Sequence, residues 1–216
     1  MEPTAHISAI IFDLGGVLLR TEDPTPRVAL AERVGVTRAE LEKMVFDHPA
    51  AQLAERGAIS TEAAWLAVAQ SMNLPVEEIP AFRKQFFGGD RVDFSLIAFI
   101  QELRPRCTTA LLSNTWIVDL PNFLREDLQI PDTFDVIISS AQHQVAKPNP
   151  AIFRLALEAV QAAAHEAIFV DDYRPNIEAA AALGIQTVHF RSAAQAQAEI
   201  RTLLDHAGDA SLRPDG

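Results

Sequence analysis

The sequence predicts an α/β protein, in which an open parallel sheet carries a helical insert after its first strand. Five short runs, mostly apolar and β-branched, alternate with helical patterns, which is typical of βαβ units. One stretch in the first half of the chain interrupts this alternation and contains helix signals only. With 216 residues, 49% of them hydrophobic, the chain can form one large domain or a domain with a smaller insert.

The predicted strands are too short to be ordinary helices. The first one, Ile7–Phe12, ends at Asp13 and a pair of glycines. The others are Thr108–Leu112, Val136–Ile138, Ala167–Val170 and Gln186–Phe190. Because most of these runs are apolar along their whole length, we expect strands that are buried on both faces, as parallel strands are.

Two helices are predicted between the later strands. Pro150–Ala164 has an apolar face opposite a polar one, and the alanine-rich segment Asn176–Leu183 is followed by Gly184, a typical helix terminator. These helices supply the crossover connections that parallel strands require.

The stretch 23–92 contains no convincing strand. An apolar helical pattern ends at Gly35, and Thr37 with Glu40 has the spacing of a capping box. Ser60 is placed to cap a further helix. The predicted organisation is therefore a core of residues 1–21 and 93–208, a helical insert at 22–92, and a flexible polar tail at 209–216.

Composition narrows the possible partners. The formal net charge is −11 without a Lys/Arg-rich run, which disfavours nucleic acid and anionic membranes and leaves small molecules or proteins. The single cysteine, Cys107, excludes an intrachain disulfide and favours a reducing compartment. Because no apolar stretch approaches the ~18–20 residues of a membrane span and no secretory signal pattern is visible, we expect a cytoplasmic protein. The oligomeric state is left open.

Polar residues stand where the predicted strands end, or in the loops beyond them. They are Asp13, Ser113, Asn114, Lys147, Asp171 and Asp172. Ligands of open parallel sheets bind outside the carboxyl ends of the strands. Three carboxylates suit a hard cation such as Mg²⁺, whereas a lysine, a hydroxyl and an amide suit a phosphate. Each residue alone would be a turn residue, a helix cap or a surface charge, but together they predict one site.

The segments FDLGGVLL, LLSNT, AKPNPAIF and IFVDDYRPNIEAA resemble the four successive motifs of the haloacid dehalogenase-like hydrolase superfamily. The resemblance covers nearly the whole chain, and the motifs follow the family order. Within the superfamily, the sequence is most similar to the branch of bacterial sugar-phosphate phosphatases and the amino-terminal phosphatase domain of soluble epoxide hydrolases. The resemblance implies a Rossmann-like core with an inserted all-helical cap, and Mg²⁺-dependent hydrolysis of a small phosphorylated metabolite.

The resemblance also implies roles for individual residues. Asp13 would be the nucleophile that forms an aspartyl-phosphate, and Lys147 would neutralise charge beside it. Ser113 and Asn114, together with Gly16, would bind the substrate.

The metal ligands implied by the resemblance come from the first and last motifs. They would be Asp172, the Asp13 carboxylate and the backbone carbonyl of Gly15, with Asp171 acting through a water molecule or from behind the direct ligands. Asn176 would steady that loop.

The sequence departs from the family pattern at Gly15. Phosphatases of the superfamily usually carry a second Asp there as general acid and base, although some members of the sugar-phosphate branch have Gly. Without that carboxyl, we expect a preference for acyl, aryl or anomeric phosphates, whose leaving groups need little protonation.

Two other functions stay open. The first is a non-catalytic binding protein of the same fold, an alternative that Gly15 raises. A 2-haloacid dehalogenase is disfavoured by Asp171 and Asp172, since the dehalogenases do not keep that acidic pair. The candidates for lining a substrate pocket are Trp116, Arg20, Phe46 and His48, for which packing or solvation is the competing interpretation.

Overall fold

The computed structural model describes residues 6–210 of the chain and confirms the predicted α/β fold. Its main sheet has five strands in the order β5-β4-β1-β6-β7, and all four pairings are parallel. The strands are β1 (Ala9–Phe12), β4 (Thr108–Ser113), β5 (Val136–Ser139), β6 (Ala167–Asp171) and β7 (Gln186–His189). The first strand thus lies at the centre, and the motif after it lies beside those after β4 and β6.

A two-stranded antiparallel ribbon joins the core to the helical insert. It pairs β2 (Leu19–Thr21) with β3 (Asp90–Val92). The prediction that residues 23–92 contain no strand was wrong at β3. The segment Asp90–Val92 has two charged residues in three, and its pairing with a strand some 70 residues earlier has no local signature.

The insert consists of five α-helices and a 3-10 turn within the described part of the chain. They are α1 (Thr25–Val34), α2 (Arg38–Phe46), α3 (Pro49–Glu55), α4 (Thr61–Ser71), the 3-10 turn Val76–Glu78 and α5 (Ile79–Phe86). The predicted capping box of Thr37 and Glu40 and the Ser60 cap are both present. The insert has a small hydrophobic core of its own, made of Leu30, Ala31, Leu41, Val45, Trp65, Val68, Phe82 and Phe86.

Helices cover both faces of the main sheet. They are α6 (Phe94–Leu103), α7 (Leu120–Glu126), α8 (Ser140–His143), α9 (Pro150–Ala159), α10 (Arg174–Ala181), α11 (Ala193–Ala210) and a 3-10 turn, Ala164–Glu166. Side chains alternate along β1. Ile10 and Phe12 share a cluster with residues of α6, α7 and α11, whereas Ala9 and Ile11 share another with residues of α9 and α10.

The last helix, α11, includes the first two residues of the predicted tail 209–216. Residues 209 and 210 belong to α11, and 211–216 lie outside the described residues. Among the described residues, no helix is both long enough and apolar enough to cross a membrane.

Candidate active site

The predicted site residues meet at the carboxyl edge of the sheet, beyond its central strand. Asp13 directly follows β1, and its backbone N–H donates to the Val170 carbonyl at 2.9 Å, which continues the pairing with β6. Because neighbouring parallel strands end at one edge, the loops after β1, β4 and β6 converge there.

A buried lysine connects two of the carboxylates. The Lys147 ammonium donates to Asp13 Oδ1 at 2.7 Å, to Asp171 Oδ2 at 2.8 Å and to the Leu112 carbonyl at 2.9 Å. An ammonium has three protons to donate, so all of them are used. Lys147 is 5% exposed and Asp171 is 0% exposed, so the geometry of this group is fixed by the fold.

Burial and charge act in opposite directions on this ion pair. Burial raises the pKa of Asp13 to about 7, although the Lys147 ammonium acts to lower it. Burial alone would lower the pKa of Lys147, but Asp13 and Asp171 together outweigh burial and raise it. The lysine is therefore a permanent positive charge beside a carboxyl that a further cation would help to ionise.

Asp13, Asp171 and Asp172 form an acidic cluster, with one oxygen from each lying within 4.8 Å of the others. Asp171 is engaged on both oxygens: Oδ1 accepts from the Tyr173 N–H at 2.7 Å, and the Asn176 amide donates to Oδ2 at 3.0 Å. Asp172 faces solvent, and partial burial together with the charge of Asp171 raises its pKa. Hard oxygen donors gathered in this way fit a divalent cation such as Mg²⁺.

The two glycines after Asp13 differ in their surroundings. Gly16 has φ +78°, and a Cβ built there would lie 2.1 Å from Asp172 Oδ2. Gly15 lies outside the left-handed region, and a Cβ there would have nothing within 4 Å. The chain therefore needs glycine at position 16 to approach the acidic cluster, whereas position 15 has room for a side chain.

The motif after β4 holds the lysine loop in place. The Asn114 amide donates to the Lys147 carbonyl, and its Oδ1 accepts from the Lys147 N–H, both at 2.9 Å. The Asn114 side chain thus positions the backbone of Lys147. Ser113 is buried, and its hydroxyl makes a long 3.4 Å contact with the Asn114 carbonyl. The role of both residues in substrate binding stays a prediction.

Two cavities adjoin at this site, between the sheet edge and the insert. The larger, about 1010 Å³, is lined by the site residues Asp13, Gly15, Gly16, Asn114, Lys147 and Asp172. The second, about 470 Å³, has a mainly aromatic and aliphatic lining that includes Leu14, Trp65, Phe87, Trp116, Ile117, Phe123 and Leu128, and Ser113 also borders it.

The four pocket candidates from the sequence have different surroundings. Trp116 borders the second cavity, with its ring 5.0 Å from that of Trp65, and Phe46 borders both cavities. Arg20 borders the larger cavity but is bound to Glu22 and Asp93. His48 instead caps α3, because its Nδ1 accepts from the Ala50 N–H at 3.1 Å.

The sequence interpretation missed Glu55, at the carboxyl end of α3. Glu55 is half-buried and borders both cavities. Burial raises the pKa of its carboxyl, and the Lys147 ammonium acts in the opposite direction. Neither a motif nor a local pattern distinguishes this residue from the other acidic residues of the insert.

Two comparisons with known proteins, a family model and a sequence relative, both match most of the chain. The family model described as haloacid dehalogenase-like hydrolase matches residues 7–184. A sesquiterpene phosphatase of Aspergillus oryzae is 29% identical over 200 residues, which are 91% of this chain and 96% of the relative.

Solved structures share the fold. An enzyme of the same family from Bacteroides thetaiotaomicron, in complex with magnesium and inorganic phosphate, superimposes with a TM-score of 0.69 at 23% identity and covers 86% of this chain and 94% of that one. The L-2-haloacid dehalogenase of Xanthobacter autotrophicus gives a TM-score of 0.62 at 21% identity, with 84% and 76% covered.

Proposed function

The chain belongs to the haloacid dehalogenase-like hydrolases, and from that premise we propose that it is a Mg²⁺-dependent phosphatase acting through an aspartyl-phosphate on Asp13. The observation that carries the proposal is the acidic cluster next to a buried lysine. Three carboxylate oxygens within 4.8 Å suit a divalent cation, and the positive charge of Lys147 suits the phosphate that such a cation accompanies.

The donor set fits the metal. Asp13, Asp172 and the backbone carbonyl of Gly15 would hold it, while Asp171, already bound by Lys147 and Asn176, would orient the site from behind. When bound, Mg²⁺ would neutralise part of the negative charge between the nucleophile and the phosphoryl group.

In the proposed reaction, Asp13, Lys147 and Asn114 each have a distinct role. A carboxylate oxygen of Asp13 attacks phosphorus, the bond from phosphorus to the ester oxygen breaks, and water later hydrolyses the aspartyl-phosphate to regenerate Asp13. Lys147 fixes the orientation of Asp13 through the 2.7 Å contact and stabilises negative charge on the transferring group. Asn114 keeps Lys147 in place through its two backbone contacts.

We further infer that the organic part of the substrate is apolar. The 470 Å³ cavity beside the site has two tryptophans, Trp65 and Trp116, in a mainly apolar lining, as small-molecule pockets typically do. The phosphatase relative of Aspergillus oryzae, whose name refers to sesquiterpenes, supports the same class of substrate.

The test is release of inorganic phosphate from a panel of sugar phosphates, nucleotides, acyl phosphates and terpenyl phosphates, with Mg²⁺ or with EDTA. We expect Mg²⁺-dependent release that is highest for apolar esters, and Asp13→Asn should abolish it while the protein stays folded, because an amide cannot form the aspartyl-phosphate. Metal-independent chloride release from 2-haloacids would instead identify a dehalogenase. A folded wild type that is inactive on both substrate sets but binds Mg²⁺ would favour a non-catalytic member.

A further inference from the structure

The junction between the two cavities is where the reacting bond would lie. If the phosphoryl group occupies the polar cavity next to Asp13 and Lys147, and the apolar group occupies the neighbouring cavity, the ester oxygen must lie between them. In the described part of the chain, the acidic side chains that border both cavities are Glu55 and Asp90.

The Asp90 carboxylate is fully engaged in hydrogen bonds that stabilise the insert. Its two oxygens accept from Arg27 Nη2, both at 2.9 Å, and Oδ1 also accepts from the Thr21 hydroxyl at 2.7 Å. Glu55 differs, because its carboxyl is influenced by burial and by nearby charges such as Lys147 but has no hydrogen bond or ion pair among residues 6–206. Of the two acids, only Glu55 is free to exchange a proton with a ligand.

Two contacts hold the end of α3 against the core. At Gly57, with φ +62°, a Cβ would lie 2.2 Å from the Ala141 carbonyl oxygen, so the two backbones are in direct contact. The Thr61 hydroxyl donates to the Trp116 carbonyl at 2.5 Å. Glu55 precedes this docked segment, and its position over the sheet edge therefore depends on the fold of the insert.

We propose that Glu55 is the general acid and base of the reaction, supplied by the insert in place of the carboxyl that is missing at Gly15. This inference rests on the proposed phosphatase function. It is consistent with the raised pKa of the Glu55 carboxyl, because a raised pKa favours the protonated form that an acid needs.

Glu55 donates a proton in the first step and regains one from water in the second. As Asp13 attacks and the ester bond breaks, the Glu55 carboxyl donates its proton to the departing oxygen, and the alcohol leaves. Water then enters the place of the alcohol, opposite Asp13. Glu55 removes a proton from it while the water oxygen bonds to phosphorus and the bond to Asp13 breaks. Inorganic phosphate, free Asp13 and protonated Glu55 result.

The variant that tests the proposal is Glu55→Gln, which keeps the size of the side chain and removes the transferable proton. The substrates are n-octyl phosphate, whose leaving group needs protonation, and p-nitrophenyl phosphate, whose leaving group does not. We expect kcat/KM to fall by ~10²-fold or more for n-octyl phosphate, and by much less for p-nitrophenyl phosphate. A pre-steady-state burst of p-nitrophenol should appear, because hydrolysis of the aspartyl-phosphate has lost its base.

The matched control is Glu32→Gln, the same change on an exposed position of α1, which should behave as the wild type. A retained kcat/KM for p-nitrophenyl phosphate, together with a full burst, shows that the Glu55 variant is folded. Equal losses on both substrates, or no loss on either, would overturn the role of Glu55 while the phosphatase function stands. A wild type that hydrolyses neither ester would overturn the proposed function and this proposal together.

Discussion

Replacing Gly16 by alanine should disable the acidic cluster without removing any of its carboxylates. The added Cβ would lie 2.1 Å from Asp172 Oδ2 and 2.4 Å from its Cγ, far inside van der Waals contact, so the Asp172 side chain must move away. The backbone at φ +78° adds about 1–2 kcal/mol of unfavourable energy for any residue with a Cβ.

We therefore expect Gly16→Ala to lose at least ~10-fold in Mg²⁺ affinity, because even a displaced supporting residue typically costs that much. Isothermal titration with MgCl₂ measures the affinity. Urea unfolding in EDTA measures the stability cost separately, and it should be about 1–2 kcal/mol.

The neighbouring glycine supplies the matched control. Gly15→Ala adds the same methyl group in open space and outside the left-handed region, so its stability should stay within about 0.5 kcal/mol of the wild type or rise slightly. The reasoning would be refuted if Gly16→Ala bound Mg²⁺ and turned over substrate as Gly15→Ala does.

Three further predictions concern the same site. Asp172→Ala should weaken Mg²⁺ binding with little change in unfolding free energy. Asp171→Ala should lower the unfolding free energy by about 3 kcal/mol, because it removes one of the two carboxylates paired with a buried lysine. Titration calorimetry and urea unfolding distinguish the two effects. Because burial raises the pKa of Asp13 to about 7, against about 3.9 in an unfolded chain, the folded metal-free protein holds the extra proton between these values. Its unfolding free energy should therefore fall as the pH rises from about 4 to 7, and an unchanged slope in Asp13→Asn would contradict this. Adding Gly15→Asp to Glu55→Gln should partly restore hydrolysis of n-octyl phosphate, since position 15 has space for the side chain. If kcat/KM of the double variant equals that of Glu55→Gln alone, a carboxyl at position 15 does not reach the leaving oxygen.

Much of the fold could be predicted because its signals are local. The β-branched run before Asp13 and the capping box at Thr37 are each encoded within a few consecutive residues, and the structure confirms both elements. The resemblance to the haloacid dehalogenase-like hydrolases, confirmed by the family model, also depends on short motifs. The ribbon formed by β2 and β3 was missed because its stability comes from pairing two distant polar segments.

The sequence by itself therefore determined the five strands of the main sheet, the helix caps at Thr37 and Ser60, and the chemical identity of the residues that follow the strands. Only the tertiary structure decided how those residues are used: that Asn114 holds the backbone of Lys147, that Lys147 joins Asp13 to Asp171, and that Glu55 borders both cavities. The contacts of Lys147 with Asp13 and Asp171 join residues that are 134 and 24 positions apart in the chain. Glu55 likewise shares a cavity with residues of a distant segment, such as Gly15. Such contacts arise from the packing of whole elements, and no stretch of neighbouring residues encodes them.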